Sequence, residues 1–268
     1  MRYLALATDY DGTLADEGRV DAPTTAALER ARAAGRRLVL VTGRLLGDLE
    51  RVFPRLDLFD RVVVENGAVM CRPRERERSV VPLAPAASAP LVTRLRERDV
   101  DLSVGRTIVA TTARYEDVVR ETIRDLGLAH EIALNKGAVM VLPPGISKAS
   151  GLAAALADLG LSPRDVVAVG DAENDLDLLR LCGCSAAVAN ALPSVQRASD
   201  LIIDAERGAA VRELIDRLLA DDLPGPAPWA GLGSPAMDCG VVGTGLAGLE
   251  CARTLSSLGH TVADRLSR

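Results

Sequence analysis

Six short apolar runs alternate with stretches of helical spacing, and this alternation limits the fold more than any other feature of the chain. The runs are YLALAT (3–8), RLVLV (37–41), VVVE (62–65), DVVAVG (165–170), SAAVAN (185–190) and DLIID (200–204). Between them lie helical stretches at 23–35, 45–53, 147–160, 174–183, 192–199 and 208–222. Pro23 sits in a first turn, Gly35 falls just past an end, and Ser147 suits an N-cap. Strands joined through helices pair in parallel, and the helices cover both faces of the resulting sheet. With 48% hydrophobic but only 2% aromatic residues among 268, the core must be built from Ala, Val and Leu.

The alternation is interrupted once. Asn66-Gly67 turns the third strand into AVMC as a hairpin. RPRERERS (72–79) reads as a solvated strand or linker, and proline-rich VPLAPAASAP (81–90) as a linker. Then come a helix at 91–99, DLSV, a Gly-Arg turn and TIVATT, followed by a helix at 115–127, HEIAL, an Asn-Lys-Gly turn and AVMVL. That order, helix, hairpin, helix, hairpin, is a small α+β unit inserted into the sheet domain. The expected fold is therefore α/β. A doubly wound parallel-sheet core occupies 1–80 and 145–222, an inserted unit 81–144, and a proline-rich linker with a tail 223–268.

Several function classes are excluded early. The net charge is −5 without a block of like charge, which argues against nucleic acid. Cys71, Cys182, Cys184, Cys239 and Cys251 form no CxxC pair and only two histidines exist, so neither a zinc site nor a disulfide framework is expected. No leader precedes the first strand and no apolar run reaches membrane-spanning length, so a cytoplasmic protein without a membrane role is expected. Only Lys136 and Lys148 among the 32 basic residues are lysines, which asks what a compact, flexible ammonium does at each.

Ligands of open α/β sheets bind beyond the carboxyl ends of the strands. There the chain places DYDGT (9–13), TGR (42–44), Lys148 at a helix start and GDAEND (170–175). One rim thus gathers Asp9, Asp11, Thr42, Lys148, Asp171 and Asp175. Four carboxylates together call for a cation, and oxygen-only ligands suit Mg²⁺. Asp9 is placed to attack phosphorus and form an aspartyl-phosphate, with Asp11 protonating the leaving oxygen and later deprotonating water. Gly12 lets backbone approach a phosphate, Thr42 and the Gly43 amide can hold an oxygen, and Lys148 can balance charge. Taken singly, these are ordinary turns, caps and a solvated lysine. Their order and shared rim carry the reading.

DYDGTL, VTGR, SK at a helix start and GDAENDLDLL, in that order, resemble the four motifs of the haloacid dehalogenase superfamily. The insertion after ENGAVM and the ending VANALPSVQRASDLI resemble the Cof-type class IIB phosphatases, over about residues 1–220. The resemblance implies a Rossmann-like core with an α+β cap. It assigns the nucleophile to Asp9 and the acid/base, also a backbone-carbonyl metal ligand, to Asp11. The motif threonine falls on Thr42, the motif lysine on Lys148 and the metal-site acids on Asp171 and Asp175, while Asn174 contacts phosphate or supports the site. It implies an Mg²⁺-dependent phosphatase of small phosphorylated metabolites, sugar phosphates foremost. Asp11 and the later acids favour this over dehalogenation. A phosphosugar mutase shares the first motif, and a phosphatase-like regulatory module joined to a larger partner is a further alternative. Substrate contacts are expected from Arg44 and Asn66 at strand ends, and from Arg106 and Asn135-Lys136-Gly137 in the cap's turns.

The tail raises a separate expectation. Gly243, Gly245 and Gly248 spell GxGxxG after a short apolar strand, and Asp264 follows where a ribose-binding acid would stand. It looks like the start of a dinucleotide-binding domain. One strand, one helix and a second strand cannot enclose a cofactor, so no cofactor-binding residues are assigned there.

Overall fold

The computed structural model describes residues 2–75, 79–135 and 137–223, and the backbone of 239–240 and 262–263. Residues Met1–Pro226 form one compact unit and Ala227–Arg268 a second. In the first, the strands are β1 (Ala5–Asp9), β2 (Arg37–Val41), β3 (Arg61–Val64), β4 (Val69–Arg72), β5 (Ser79–Pro82), β6 (Ser103–Val104), β7 (Val109–Thr112), β8 (Glu131–Asn135), β9 (Ala138–Leu142), β10 (Val166–Gly170), β11 (Cys184–Val188) and β12 (Leu201–Ile203). The helices are α1 (Ala22–Ala33), α2 (Leu46–Val52), α3 (Ala89–Glu97), α4 (Glu116–Asp125), α5 (Lys148–Leu159), α6 (Leu176–Leu181), α7 (Pro193–Ala198) and α8 (Arg207–Asp221).

The larger sheet runs β12-β11-β10-β1-β2-β3-β4-β5. From β12 to β3 every pairing is parallel. Each residue of β1, β10 and β11 is buried, so both faces of the central strands are covered, as their unbroken apolar runs require. Helix α1 packs on α8, and α5 on α6, β2 and β3. Asp21 caps α1 by accepting the Thr24 amide at 2.8 Å, with Pro23 in the first turn. The sheet is not wholly parallel. β4 and β5 extend it as antiparallel strands, and β5 occupies the start of the segment expected to be a linker. Pro82 reads as a strand breaker, but β5 is the sheet's edge, where a missing amide donor is tolerated.

Residues between β5 and α5 build a second, antiparallel sheet, β6-β7-β9-β8. The period of two along β9 sets its faces. Val139 and Val141 pack with Leu91 and Leu95 of α3 and Val119 and Ile123 of α4. Met140 and Leu142 point the other way, into a cluster with Ala68 beside β4 and Ile108. A helix layer therefore closes one face of the inserted sheet, and the larger domain closes the other.

Cys239–Gly240 pairs in parallel with Val262–Ala263, as the two strands of a strand–helix–strand start would. Gly243, Gly245, Gly248 and Asp264 lie outside the described residues. Among the described residues no helix is long and apolar enough to cross a membrane.

Candidate active site

The chain builds β1, β2 and β3 outward to one side and later returns to place β10 on the other side of β1. A crevice forms where strand order reverses in this way, beyond the carboxyl ends. Asp9 is the last residue of β1, and Asp171 follows the last residue of β10. The charged motifs therefore stand at the reversal point.

Four of their side chains are almost wholly buried there: Asp9 is 4% exposed, Asp171 2%, Asp175 0% and Lys148 1%. The Lys148 ammonium donates to Asp9 Oδ1 at 2.6 Å and to Asp175 Oδ1 at 2.7 Å. Asp175 Oδ2 accepts the amides of Asp171 and Ala172, both at 3.0 Å, so this carboxylate also shapes the loop after β10. The Thr13 hydroxyl donates to Asp171 Oδ1 at 3.2 Å. Lys148 arrives on the first turn of α5, where Ser147 and Ser150 cap one another across the helix start.

Three buried carboxylates face one ammonium. Burial pushes the Asp9 carboxyl up to about 8; the charge of Asp175 adds to the rise and Lys148 opposes it. Burial works against the Lys148 cation, yet Asp175 and Asp9 hold its pKa above the ordinary lysine value. One oxygen from each of Asp9, Asp171 and Asp175 lies within 4.8 Å of the other two. An oxygen-only donor set with surplus negative charge fits a hard divalent cation. Asp11 is not part of this cluster. Its carboxylate accepts a two-pronged bond from Arg44, Nε to Oδ2 at 2.7 Å and Nη2 to Oδ1 at 2.6 Å. Arg44, expected to meet substrate, is engaged with the acid two residues beyond Asp9.

The remaining expected residues divide. Thr42 is buried, and its hydroxyl accepts the Arg44 amide at 3.2 Å. Gly12 has φ +85°; its amide donates to the Ala15 carbonyl at 3.1 Å and its carbonyl accepts Asn190 Nδ2 at 2.7 Å. Asn66 accepts Asn174 Nδ2 at 3.3 Å and gives its own amide to the Thr42 carbonyl at 3.0 Å. The Asn174 side-chain oxygen Oδ1 is buried and has no hydrogen-bond partner among the described residues, an open acceptor beside the rim. Gly43 faces the sulfur of Met140, which would stand 3.1 Å from a Cβ there. Lys136 lies outside the described residues. The Arg106 amide is bonded to Glu65. A cavity of about 160 Å³ separates Asn66, Ser147 and Asn174 from Ile132 and Ala133 of β8. Sequence reasoning missed Thr13, Asn190, Met140 and Glu65. Thr13 and Asn190 stand inside stretches already singled out. Met140 is one apolar residue of a strand, with no signal of its own.

A second cavity, about 550 Å³, lies at the amino ends of β2 and β3, lined by Arg36, Arg37, Asp60 and Arg74 among others, and contains none of the expected site residues.

The family model described as haloacid dehalogenase-like hydrolase matches residues 6–122 and 106–215. Phosphoglycolate phosphatase of Methanothermobacter thermautotrophicus is 32% identical over 219 residues, covering 80% of this chain and 98% of that protein. A haloacid dehalogenase-like hydrolase structure from Bacteroides thetaiotaomicron superposes with a TM-score of 0.69 at 20% identity, over 81% of this chain and 99% of that one. A subclass IIB sugar phosphatase of the same superfamily gives 0.59 at 20%, over 74% and 92%. At that identity the two structures speak for the fold.

Proposed function

The chain belongs to the haloacid dehalogenase-like hydrolases and is a phosphatase of small phosphorylated substrates, and from that premise we propose that it works through Asp9 with Mg²⁺. The observation that carries the proposal is the buried Lys148 bridging Asp9 and Asp175 beside Asp171 at the strand-order reversal. Asp9, Asp171, Asp175 and the Asp11 carbonyl would hold the cation, which offsets the negative charge of phosphate and carboxylates brought together. The Asp9 carboxylate attacks phosphorus, and the bond to the ester oxygen breaks. Asp11, once it lets go of Arg44 and takes up a proton, gives it to that oxygen, and the alcohol leaves. Asp11 then takes a proton from water as the water opens the aspartyl-phosphate, releasing phosphate and restoring Asp9. Lys148 keeps Asp9 aimed and opposes the rise in its pKa. Thr42, the Gly43 amide and Asn174 hold the phosphoryl oxygens. Arg44 holds Asp11 in the two-pronged pair, and on leaving it would be free to make the substrate contact expected from sequence.

In this reading residues 1–80 and 145–222, with β5 reaching Pro82, are the catalytic core, and 81–144 is the cap. 2-Phosphoglycolate, the substrate named for the relatives, is the first candidate, with sugar phosphates next. Buried free thiols at Cys71 and Cys184 suit a reducing cytoplasm.

Release of inorganic phosphate from 2-phosphoglycolate and a sugar phosphate panel, with Mg²⁺ and with chelator, tests the proposal. Turnover should require Mg²⁺ and vanish in Asp9→Asn with the circular dichroism spectrum unchanged. Full turnover in excess chelator overturns it, and an isomerised sugar phosphate without free phosphate replaces it with a mutase.

A further inference from the structure

The reaction above leaves two buried acids unused: Asp60, paired with arginines at the amino ends of the strands, and Glu65 beside the catalytic rim. Glu65, 2% exposed, follows β3 at φ +54°, a left-handed backbone unusual for glutamate. Its carboxylate accepts three backbone amides from the β6–β7 turn of the inserted unit: Arg106 N to Oε1 at 2.9 Å, Thr107 N to Oε2 at 2.9 Å and Ile108 N to Oε2 at 3.2 Å. Three converging amides make a concave anion site, and the ligand that fills it is a side chain 41 to 43 residues away. Gly105 allows the approach, since a Cβ there would lie 2.5 Å from Glu65 Oε2.

The turn that bears Glu65 also touches the catalytic rim on every side. The Glu65 amide donates to the Arg44 carbonyl at 2.9 Å, and the Asn66 amide to the Thr42 carbonyl at 3.0 Å. Asn66 Oδ1 reaches Asn174 in the loop before Asp175. Gly67, at φ +108°, lets α5 bring Lys148 in, because a Cβ there would lie 1.9 Å from the Ser147 carbonyl oxygen. Backbone strain of this kind persists only where surrounding contacts hold it, and it gathers at functional sites. On the inserted unit, the gripped turn leads directly into β7, which pairs with β9, and β9 carries Met140 onto Gly43.

We propose that Glu65 is a positioning residue of the phosphatase reaction. Its carboxylate holds the β6–β7 turn, and so Met140, over the phosphate-binding turn, and the Glu65–Gly67 segment ties that placement to Thr42, Asn174 and Lys148. The role rests on the phosphatase reading given above. Glu65 touches neither substrate nor reacting atoms. It sets where the cap face stands when they meet.

The test combines residue-resolved amide exchange with steady-state kinetics on the full chain, using 2-phosphoglycolate and Mg²⁺. Three variants are compared: Glu65→Ala, Glu65→Gln, which keeps one acceptor oxygen, and Gly105→Ala, which wedges the turn away with Glu65 intact. Exchange at Arg106, Thr107 and Ile108 should rise at least tenfold in Glu65→Ala and Gly105→Ala, with Ala7 and Val169 in the core strands unchanged. kcat/KM should fall at least tenfold in both, and Glu65→Gln should lie between them and the unaltered protein. Exchange at the three amides within twofold of the unaltered protein overturns the grip. Faster exchange with unchanged kcat/KM overturns the positioning role. If the unaltered chain is itself silent, the phosphatase reading fails and the positioning role with it, a failure distinct from the other two because it appears before any substitution.

Discussion

The two ends of the parallel sheet carry the same charge motif with opposite sign. At the carboxyl ends one ammonium, Lys148, stands between two carboxylates, Asp9 and Asp175. At the amino ends one carboxylate, Asp60, stands between two guanidiniums, Arg37 and Arg74. The single central group is buried in both cases. The surplus partners are not alike: the side chains of Asp9 and Asp175 are 6% and 0% exposed, whereas those of Arg37 and Arg74 are 55% and 43% exposed. A surplus guanidinium in water keeps its hydration and costs little. A surplus carboxylate out of water must be neutralised or matched. The amino end is matched within itself, and the surplus buried charge at the carboxyl end is what the proposed cation and phosphoryl group would answer.

The largest break in that comparison should come from Lys148. Lys148→Ala leaves three buried carboxylates with no ammonium. Removing one partner of a buried pair typically costs about 3–5 kcal/mol, and removing one positioned donor about 10²–10³ in rate. Urea unfolding in chelator should show the first, and kcat at saturating Mg²⁺ the second. Lys148→Arg keeps the charge but replaces a point cation with a planar fork in a space two carboxylates already fill. Its turnover should fall nearly as far as that of the alanine variant. An arginine variant of ordinary rate would mean that Lys148 supplies charge alone.

A smaller effect follows from Asp9. Its carboxyl sits at about 8, raised by burial first and by Asp175 next, against the pull of Lys148. An unfolded chain releases this proton near pH 4. A native state that holds it longer is most favoured at low pH and loses that contribution as pH rises through about 8. In chelator, the melting temperature should therefore fall between pH 5 and pH 8, and Asp9→Asn should flatten the slope. Mg²⁺ should stabilise the unaltered protein more at pH 8 than at pH 5, because the metal competes with the proton. Equal slopes for the two proteins in chelator would show that the rim carries no unbalanced charge.

The two ends also differ in how far the sequence disclosed them. DYDGT, TGR, Lys148 and GDAEND each follow a strand or open a helix, so alternation alone puts them on one rim, and the structure brings Asp9, Lys148, Asp171 and Asp175 into contact. Local pattern reaches no further than its own element. That Arg44 turns back onto Asp11 depends on the spacing of β1 and β2, and no residue type announces it. Glu65 reads as the end of the apolar run VVVE, and nothing marks its further role, because its partners are backbone amides, which look the same in every sequence. Val81 and Pro82 belong to a proline- and alanine-rich run that reads as a linker, and only the place of β5 at the sheet's edge makes Pro82 harmless there. The arginine pair on Asp60 was invisible for a similar reason. With arginine supplying nearly all the basic charge, a paired guanidinium and a solvated one are written alike.

The smallest expected effects lie at that amino end. Asp60 Oδ1 accepts Arg37 Nη1 at 2.9 Å and Arg74 Nη1 at 2.8 Å, while Oδ2 accepts the Leu38 amide at 3.0 Å. Either arginine can be lost without leaving the carboxylate unmatched, because the other arginine and the amide remain. Both arginine side chains also spend rotamer freedom to make bonds that water and salt weaken. Arg37→Ala and Arg74→Ala should each change unfolding free energy by less than about 1 kcal/mol, with the difference shrinking as salt is raised, and should leave turnover unaltered. A loss as large as that of Lys148→Ala from either one would erase the contrast between the ends. It would mean that Asp60 needs its full complement of charge, and that burial of the central group, rather than solvation of the surplus, decides the cost.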